Sequence, residues 1–330
     1  MPTSHGRSST LSVALALVTV YLVWGSTYLA IAFVVDTLPP ILSGGIRFLV
    51  AGSLLLAFIL AQAWWRHRRD PSSMFVRPRL VEWRTAAVVG TFLLLGGNGL
   101  VSVAEQRIPS SIAAVIIATV PIWMSLGEAL LVRRMPSLLA IGGLVVGLVG
   151  VVILLLPTGG ADEIDPLGIA IVVCSALCWT AGSLYARRAP LPSNQLLGSG
   201  MEQLVGGSVM LGVAMLIGEF AALQPGSVST ESLLALGYLI VFGSLLAFTA
   251  YVWLLEHAPI STVATYAYVN PVVAVFLGVL LLSEPLTPRI LLAAGLIIGA
   301  VVAMVSGRPR DAEEATGQEV APLEAADDAA

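Results

Sequence analysis

The sequence predicts an all-α integral membrane fold: ten transmembrane helices forming two inverted five-helix repeats around a central cavity. Three observations predict it: composition, the placement of arginine, and an internal duplication. Residues of the AVILMFWYC set make up 57% of the chain and charged residues 11%. A soluble domain carries about 25% charged residues, and a soluble bundle would need long polar faces that these segments lack.

Apolar runs recur at 11–33, 40–61, 82–104, 109–131, 137–156, 165–187, 193–218, 231–257, 259–282 and 288–306. Each is close to the roughly 20 residues needed to cross a hydrocarbon core of about 30 Å. The first run continues for a full span into an aromatic segment and has no small-residue cleavage site, so it reads as an uncleaved anchor. All 16 basic residues are arginine. With a cytoplasmic N-terminus, thirteen fall inside: Arg7, the six between Arg66 and Arg84, and the pairs at 133–134, 187–188 and 308–310. Only Arg107 and Arg289 fall outside, and Arg47 lies within a span. This positive-inside bias requires ten spans with both ends cytoplasmic. Asp36, Asp162, Glu163, Asp165, Glu219 and Glu231 mark the outer loops.

The duplication sets the domains. Glu105–Pro121 reads EQRIPSSIAAVIIATVP and Glu256–Pro271 reads EHAPISTVATYAYVNP. GGLVVGLVGVV from Gly142 returns as AGLIIGAVVAM from Ala294, and RFLVAGSLLL from Arg47 as EQLVGGSVML from Glu202. The latter offset also places Trp24 on Trp179. Residues 1–10 form a cytoplasmic N-terminus, 11–156 the first repeat and 165–306 the second. The polar, alanine-rich stretch 307–330 reads as a disordered acidic tail. Five helices per repeat turn the second copy over, a symmetry that lets two halves exchange conformations around a midplane site.

Helix by helix, the polar and aromatic groups are the candidates for that site. In the first helix Trp24, like Trp179 in the sixth, is too deep for an interfacial belt; each either packs between helices or faces the cavity. Trp64, Trp65 and Trp83 flank the arginine loop and fit the belt. Arg47, in the second helix, is costly in a bilayer; it pairs with an outer group such as Asn98 or extends to the surface. Glu202, its mate in the seventh helix, lies in the opposite half of the membrane by helix rise, so separate roles are expected. It is either a proton-responsive group or a protonated acid bonded to a neighbouring helix. Glu128 ends the fourth helix at a gate or at the headgroups.

In the ninth helix Thr262, Tyr266 and Asn270 form one i, i+4, i+8 stripe, with Tyr268 off it. The stripe serves a cavity or joins helices. Pro121 and Pro271 each remove a backbone donor, which kinks a helix and frees a carbonyl. Cys174 and Cys178 share a helix face and read as small buried packing residues, too few for a metal site. Gly142, Gly143, Gly147 and Gly150 fit close helix contact.

WGSTYLAI (24–31), GNGLVSVAEQ (97–106), PSSIAAVIIATVPIW (109–123) and YAYVNPVVAVFLGVLLLSEPLT (266–287) together resemble the EamA-domain permeases of the drug/metabolite transporter superfamily. The resemblance spans about 11–306. It implies two EamA bundles around a substrate cavity and export of small metabolites or drugs, including amino acids and related compounds, across the cytoplasmic membrane. The first repeat departs where Arg134, followed by Met135 and Pro136, aligns with Glu284.

The expected partners are a small-molecule substrate and the lipid bilayer, with no nucleic acid, cofactor or metal; a homodimer is left open. His5, His67 and His257 are far apart and no catalytic or nucleotide-binding motif occurs, which argues against an enzyme or a primary pump. The alternatives are an uptake permease of the same fold and, more remotely, a nontransporting receptor or scaffold.

Overall fold

A computed structural model describes residues 10–70, 72, 77–108, 113, 116–133, 138–155, 165–282 and 288–306. Arg7, Asp162, Glu163, Arg134, Met135, Pro136, Glu284 and the acidic tail lie outside the described residues, as does most of 109–115.

Among the described residues the chain is helical throughout, without a strand. The helices are α1 Thr10–Thr37, α2 Pro40–Arg69, α3 Leu80–Ala104, α4 Val120–Val132 and α5 Leu138–Leu155. There follow α6 Pro166–Ala186, α7 Gln195–Leu216, α8 Thr230–His257, α9 Tyr266–Leu282 and α10 Pro288–Ser306. Five of them (α1, α2, α3, α6 and α8) are long and apolar enough to cross a bilayer. Their outward faces are apolar, as at Leu11, Leu15 and Leu22 on α1 and Leu54 and Phe58 on α2.

The helix starts are specified locally. Asp165, Asn194 and Ser229 accept the backbone N–H of Leu167, Leu197 and Ser232, so α6, α7 and α8 each begin with a side-chain cap. Pro40 opens α2, and the N–H groups of Ile41 and Leu42 donate to the Glu219 carboxylate at 3.3 and 2.6 Å. A carboxylate from another part of the chain thus meets the positive end of the α2 dipole.

The helix contacts obey a two-fold rule. α2 packs on α7 and α5 on α10; α1 on α9 is matched by α6 on α4, and α8 on α1 by α3 on α6. The α2–α7 contact shows the geometry residue by residue. A Cβ at Gly52 would stand 2.4 Å from the Leu204 nitrogen and 2.8 Å from the Gly200 carbonyl oxygen. A Cβ at Gly207 would stand 2.4 Å from the Leu49 nitrogen and 3.0 Å from the Gly45 carbonyl oxygen. Each contact maps onto the other at the offset found in the sequence. The partner number falls as the first rises, so these repeat mates run antiparallel.

Both long interior helices carry π-helical geometry at corresponding places, Thr91–Gly99 in α3 and Leu239–Phe248 in α8. Such segments widen the helix and recur at functional sites. In the second repeat the helical turn Ile260–Val263 ends at a break over Ala264 and Thr265, where the bonds tighten to i→i+3.

Several expectations are corrected. Pro271 lies inside α9, but Pro121 occupies the first turn of α4, where a missing N–H removes no helical bond. Pro121 therefore starts a helix rather than kinking one. Cys174 is exposed on the outer face of α6, and only Cys178 packs inward, beside Gly96. Gly142 has open space around it, whereas Gly147 and Gly150 make the expected close contacts. Trp64 and Trp65 are exposed beside the α2 arginines, with Arg68 stacked on Trp64 at 3.9 Å. Trp83 instead packs against the cluster of Ile59, Ala86, Leu197 and Met201.

Candidate functional site

The two tryptophans meet at the centre of the molecule. Trp24 and Trp179 stand edge to face, with centroids 5.4 Å apart and planes at 81°. Tyr251 and Tyr266 complete the cluster, at 5.0 and 5.1 Å from Trp24. The Tyr251 hydroxyl accepts from Trp179 Nε1 at 2.9 Å and lies 2.6 Å from Ser183 Oγ. Ser183 already donates to the Trp179 carbonyl, so the Tyr251 proton goes to Ser183 and the chain of bonds is complete. Trp24 Nε1 donates to the Gly243 carbonyl at 3.3 Å. Each tryptophan meets a glycine of the other repeat's π-helical stretch: Trp24 through its bond to the Gly243 carbonyl, and Trp179 through its ring, which a Cβ at Gly97 would approach to 2.5 Å. A side chain at position 97 would block the Trp179 indole.

Above this cluster lies a cavity with about 550 Å³ of unfilled space, its mouth included. α1 supplies Trp24, Thr27, Tyr28 and Ile31, which share one face by their i, i+3, i+4, i+7 spacing. α6 supplies Ser175 and Trp179, and α9 Tyr266 and Asn270, each an i, i+4 pair. The π-helical stretch of α3 supplies Gly97 and Asn98, and α2 supplies Arg47. The lining residues of α1 and α3 lie in the last halves of those helices, and that of α2 in its first part.

Arg47 is buried in that wall. Its Nε donates to Ser244 Oγ at 2.8 Å, and Nη1 reaches Asn98 Oδ1 at 3.5 Å. Its guanidinium fits because residue 243 is glycine; a Cβ there would stand 2.8 Å from Nη2. The expected Arg47–Asn98 contact is present, at a long distance. Asn270 is buried with its Oδ1 unpartnered.

The other expected residues lie elsewhere. Tyr268 points away from the cavity, donates to the Leu144 carbonyl at 3.1 Å and packs with Ala118, Ala293 and Ile297. The break at Ala264 and Thr265 sets the phase of α9, so Tyr266 and Asn270 face inward and Tyr268 faces α5. Glu202 is wholly buried on α7, off the cavity wall, and neither carboxylate oxygen has a hydrogen-bond partner among the described residues. It makes no ion pair with Arg47 among the described residues. Glu128 is 3.9 Å from Arg187 Nη2, and Arg187 Nη1 donates to the Ala258 carbonyl at 2.8 Å. These bonds tie the ends of α4, α6 and α8 together.

Outside the helices, Asp165 is held below the usual carboxylate range by the Leu167 N–H and by Arg107, its ion-pair partner at 3.1 Å. No cluster of three metal-ligating side chains occurs among the described residues. Sequence reasoning missed Thr27, Tyr28, Ser175, Ser183 and Ser244. The first four stand three or four residues from Trp24 or Trp179, so helical spacing from the tryptophans was the signal that finds them.

The EamA-like transporter family matches residues 11–156 and 166–306. The chain belongs to the EamA-like transporter family. It is 39% identical over 294 residues to the uncharacterized inner membrane transporter YedA of Escherichia coli strain K12, covering 89% of this chain and 90% of that one. It is 23% identical over 295 residues to the uncharacterized transporter YvbV of Bacillus subtilis strain 168, covering 87% and 90%. Protein PagO of Salmonella typhimurium is 24% identical over 299 residues, covering 89% and 93%. A solved crystal structure superposes with a TM-score of 0.70 at 20% identity, over 89% of this chain and 96% of that one, which shows the shared fold. As an EamA protein of the drug/metabolite transporter superfamily, the chain is a multi-pass membrane protein of a transporter family. The family model thus matches the chain twice.

Proposed function

We propose that this protein is a secondary transporter that exports small metabolites across the cytoplasmic membrane by alternating access. In this reading ten helices span the bilayer and both termini are cytoplasmic. The observation that carries it is the one-sided cavity. It is lined by both repeats, and its residues on α1, α2, α3 and α6 lie toward the helix ends away from most of the arginines; in this reading it opens there, and Arg187, Glu128 and the Ala258 carbonyl close the other side. Exchanging the two repeats' conformations moves the opening to the other face. Trp24, Asn98, Trp179, Tyr266 and Asn270 line the substrate site, and Arg187 with Glu128 forms the cytoplasmic gate.

Glu202 is the coupling group of this proposal. A carboxylate without a hydrogen bond or counter-ion in a membrane interior is strongly disfavoured, whereas a protonated acid is tolerated. Its protonation state then reports on water reaching α7 as the halves move. The test is flux in proteoliposomes of a compound found by comparing extracellular metabolites with and without overexpression. Export predicts enrichment outside; depletion selects the uptake reading. Unchanged rate and pH dependence in Glu202→Gln removes the coupling role, and a reporter after Arg310 reading periplasmic removes the ten-span topology.

A further inference from the structure

We infer that the central cavity selects small organic anions, monocarboxylates with a planar apolar body, and that Arg47 is the residue that binds the carboxylate. The inference rests on the cavity being the substrate site of the transporter proposed above, and goes beyond it by assigning the chemical class.

The argument starts from charge. Arg47 is a buried cation in the cavity wall, and a guanidinium is charged at every physiological pH. Among the described residues its hydrogen bonds are to Ser244 and Asn98, both neutral, and its guanidinium lies 4.6 Å over the Phe48 ring. No aspartate or glutamate among the described residues comes within ion-pair distance, and none lines the cavity. Glu105, half-buried just beyond α3 with its carboxylate oxygens enclosed, acts electrostatically on Tyr28 of the wall but is not itself part of the wall. A buried cation without a counter-ion is costly, and an anion entering the cavity removes that cost. A cation entering the same space meets repulsion and no carboxylate. A zwitterion brings no net compensation.

Arg47 also has donors to spare. Of its five N–H groups one goes to Ser244 and one, at long range, to Asn98. The rest of the fork matches a carboxylate. The remaining wall sets the body of the ligand. Trp24, Trp179 and Tyr266 present aromatic surface, which favours a flat apolar group. Asn270 Oδ1, buried and unpartnered, adds one acceptor for a ligand hydroxyl or N–H.

The experiment is calorimetric titration of the full-length protein in lipid nanodiscs with benzoate, benzamide, benzylamine and phenylalanine. These share the ring and differ in charge. Benzoate is expected to bind at least about tenfold more tightly than the other three, the range a charge-assisted hydrogen bond provides. Arg47→Gln is expected to abolish that preference, and Arg47→Lys to keep part of it. Thermal unfolding of each variant separates loss of the fold from loss of the site; if Arg47→Gln unfolds, Arg47→Lys against wild type decides. Benzoate that fails to bind, binds no better than benzamide or phenylalanine, or is indifferent to Arg47 overturns the inference. Proteoliposome flux is read separately. Selective benzoate binding without flux of any compound removes the transport reading and keeps the anion site. Flux of an amine that persists in Arg47→Gln does the reverse.

Discussion

Gly52 offers the sharpest test of the two-fold helix contact. Alanine there puts a methyl carbon 2.4 Å from the Leu204 nitrogen, while ordinary Cβ contact begins near 3.4 Å. About 1 Å must be found, and the obstacle is backbone, which cannot rotate aside as a side chain does. Overpacking costs about 1–3 kcal/mol, and a backbone clash belongs at the top of that range. Alanine recovers about 1 kcal/mol of helix propensity relative to glycine. The net expectation for Gly52→Ala is a loss of about 2 kcal/mol. Gly207→Ala should match it, because the same 2.4 Å contact recurs at the Leu49 nitrogen. Gly212, on α7 with nothing within 4 Å, is the control; Gly212→Ala keeps only the propensity gain. Reversible unfolding in mixed micelles measures all three. If Gly52→Ala is as stable as Gly212→Ala, the close antiparallel packing of α2 on α7 is wrong.

Three further outcomes are expected. Tyr251→Phe leaves Trp179 Nε1 without its acceptor and should cost about 1–3 kcal/mol, measured by unfolding together with a shift in tryptophan emission. Arg187→Ala removes the bonds of the proposed gate; at partial exposure they are worth about 1 kcal/mol, roughly a fivefold shift toward the opposite state. With Cys174 and Cys178 replaced, a cysteine at Thr27 should then label more slowly from outside, and an unchanged rate refutes the gate. Finally, the folded Asp165 carboxyl titrates below its unfolded value. Its contribution as the α6 cap is therefore present above the ordinary aspartate range and lost as pH falls through the folded value. Asp165→Asn should flatten the acid limb of the stability curve, and an unchanged limb removes the assignment.

Much of the architecture could be read in the residues, because repetition is visible wherever side chains repeat. Trp24 and Trp179 aligned in the sequence and touch in the structure. Arg47 and Glu202 were separated by counting helical rise, and they are unpaired. The cavity was legible only where it used large groups. Ser175, Ser244 and Thr27 are small hydroxyls in apolar helices and leave no pattern of their own. The phase of α9 was not legible, because a tight turn at Ala264 and Thr265 adds a rotation that constant helical spacing does not contain. The π-helical stretches were hidden for the same reason: one extra residue per turn changes which side faces inward without changing composition.

The edge-to-face contact between Trp24 and Trp179 carries a consequence for the symmetry itself. A two-fold axis passing between two identical rings would give both the same role. At 81° one indole offers its rim and the other its face, so the pair cannot be mapped onto itself. Their hydrogen bonds differ too: one indole donates to a backbone carbonyl, the other to a phenol. The symmetry is therefore broken at its own centre. A molecule obeying it strictly would be equally open, or equally shut, toward both faces of the membrane. Being handed in its middle is what lets this chain have an inside and an outside at a given moment.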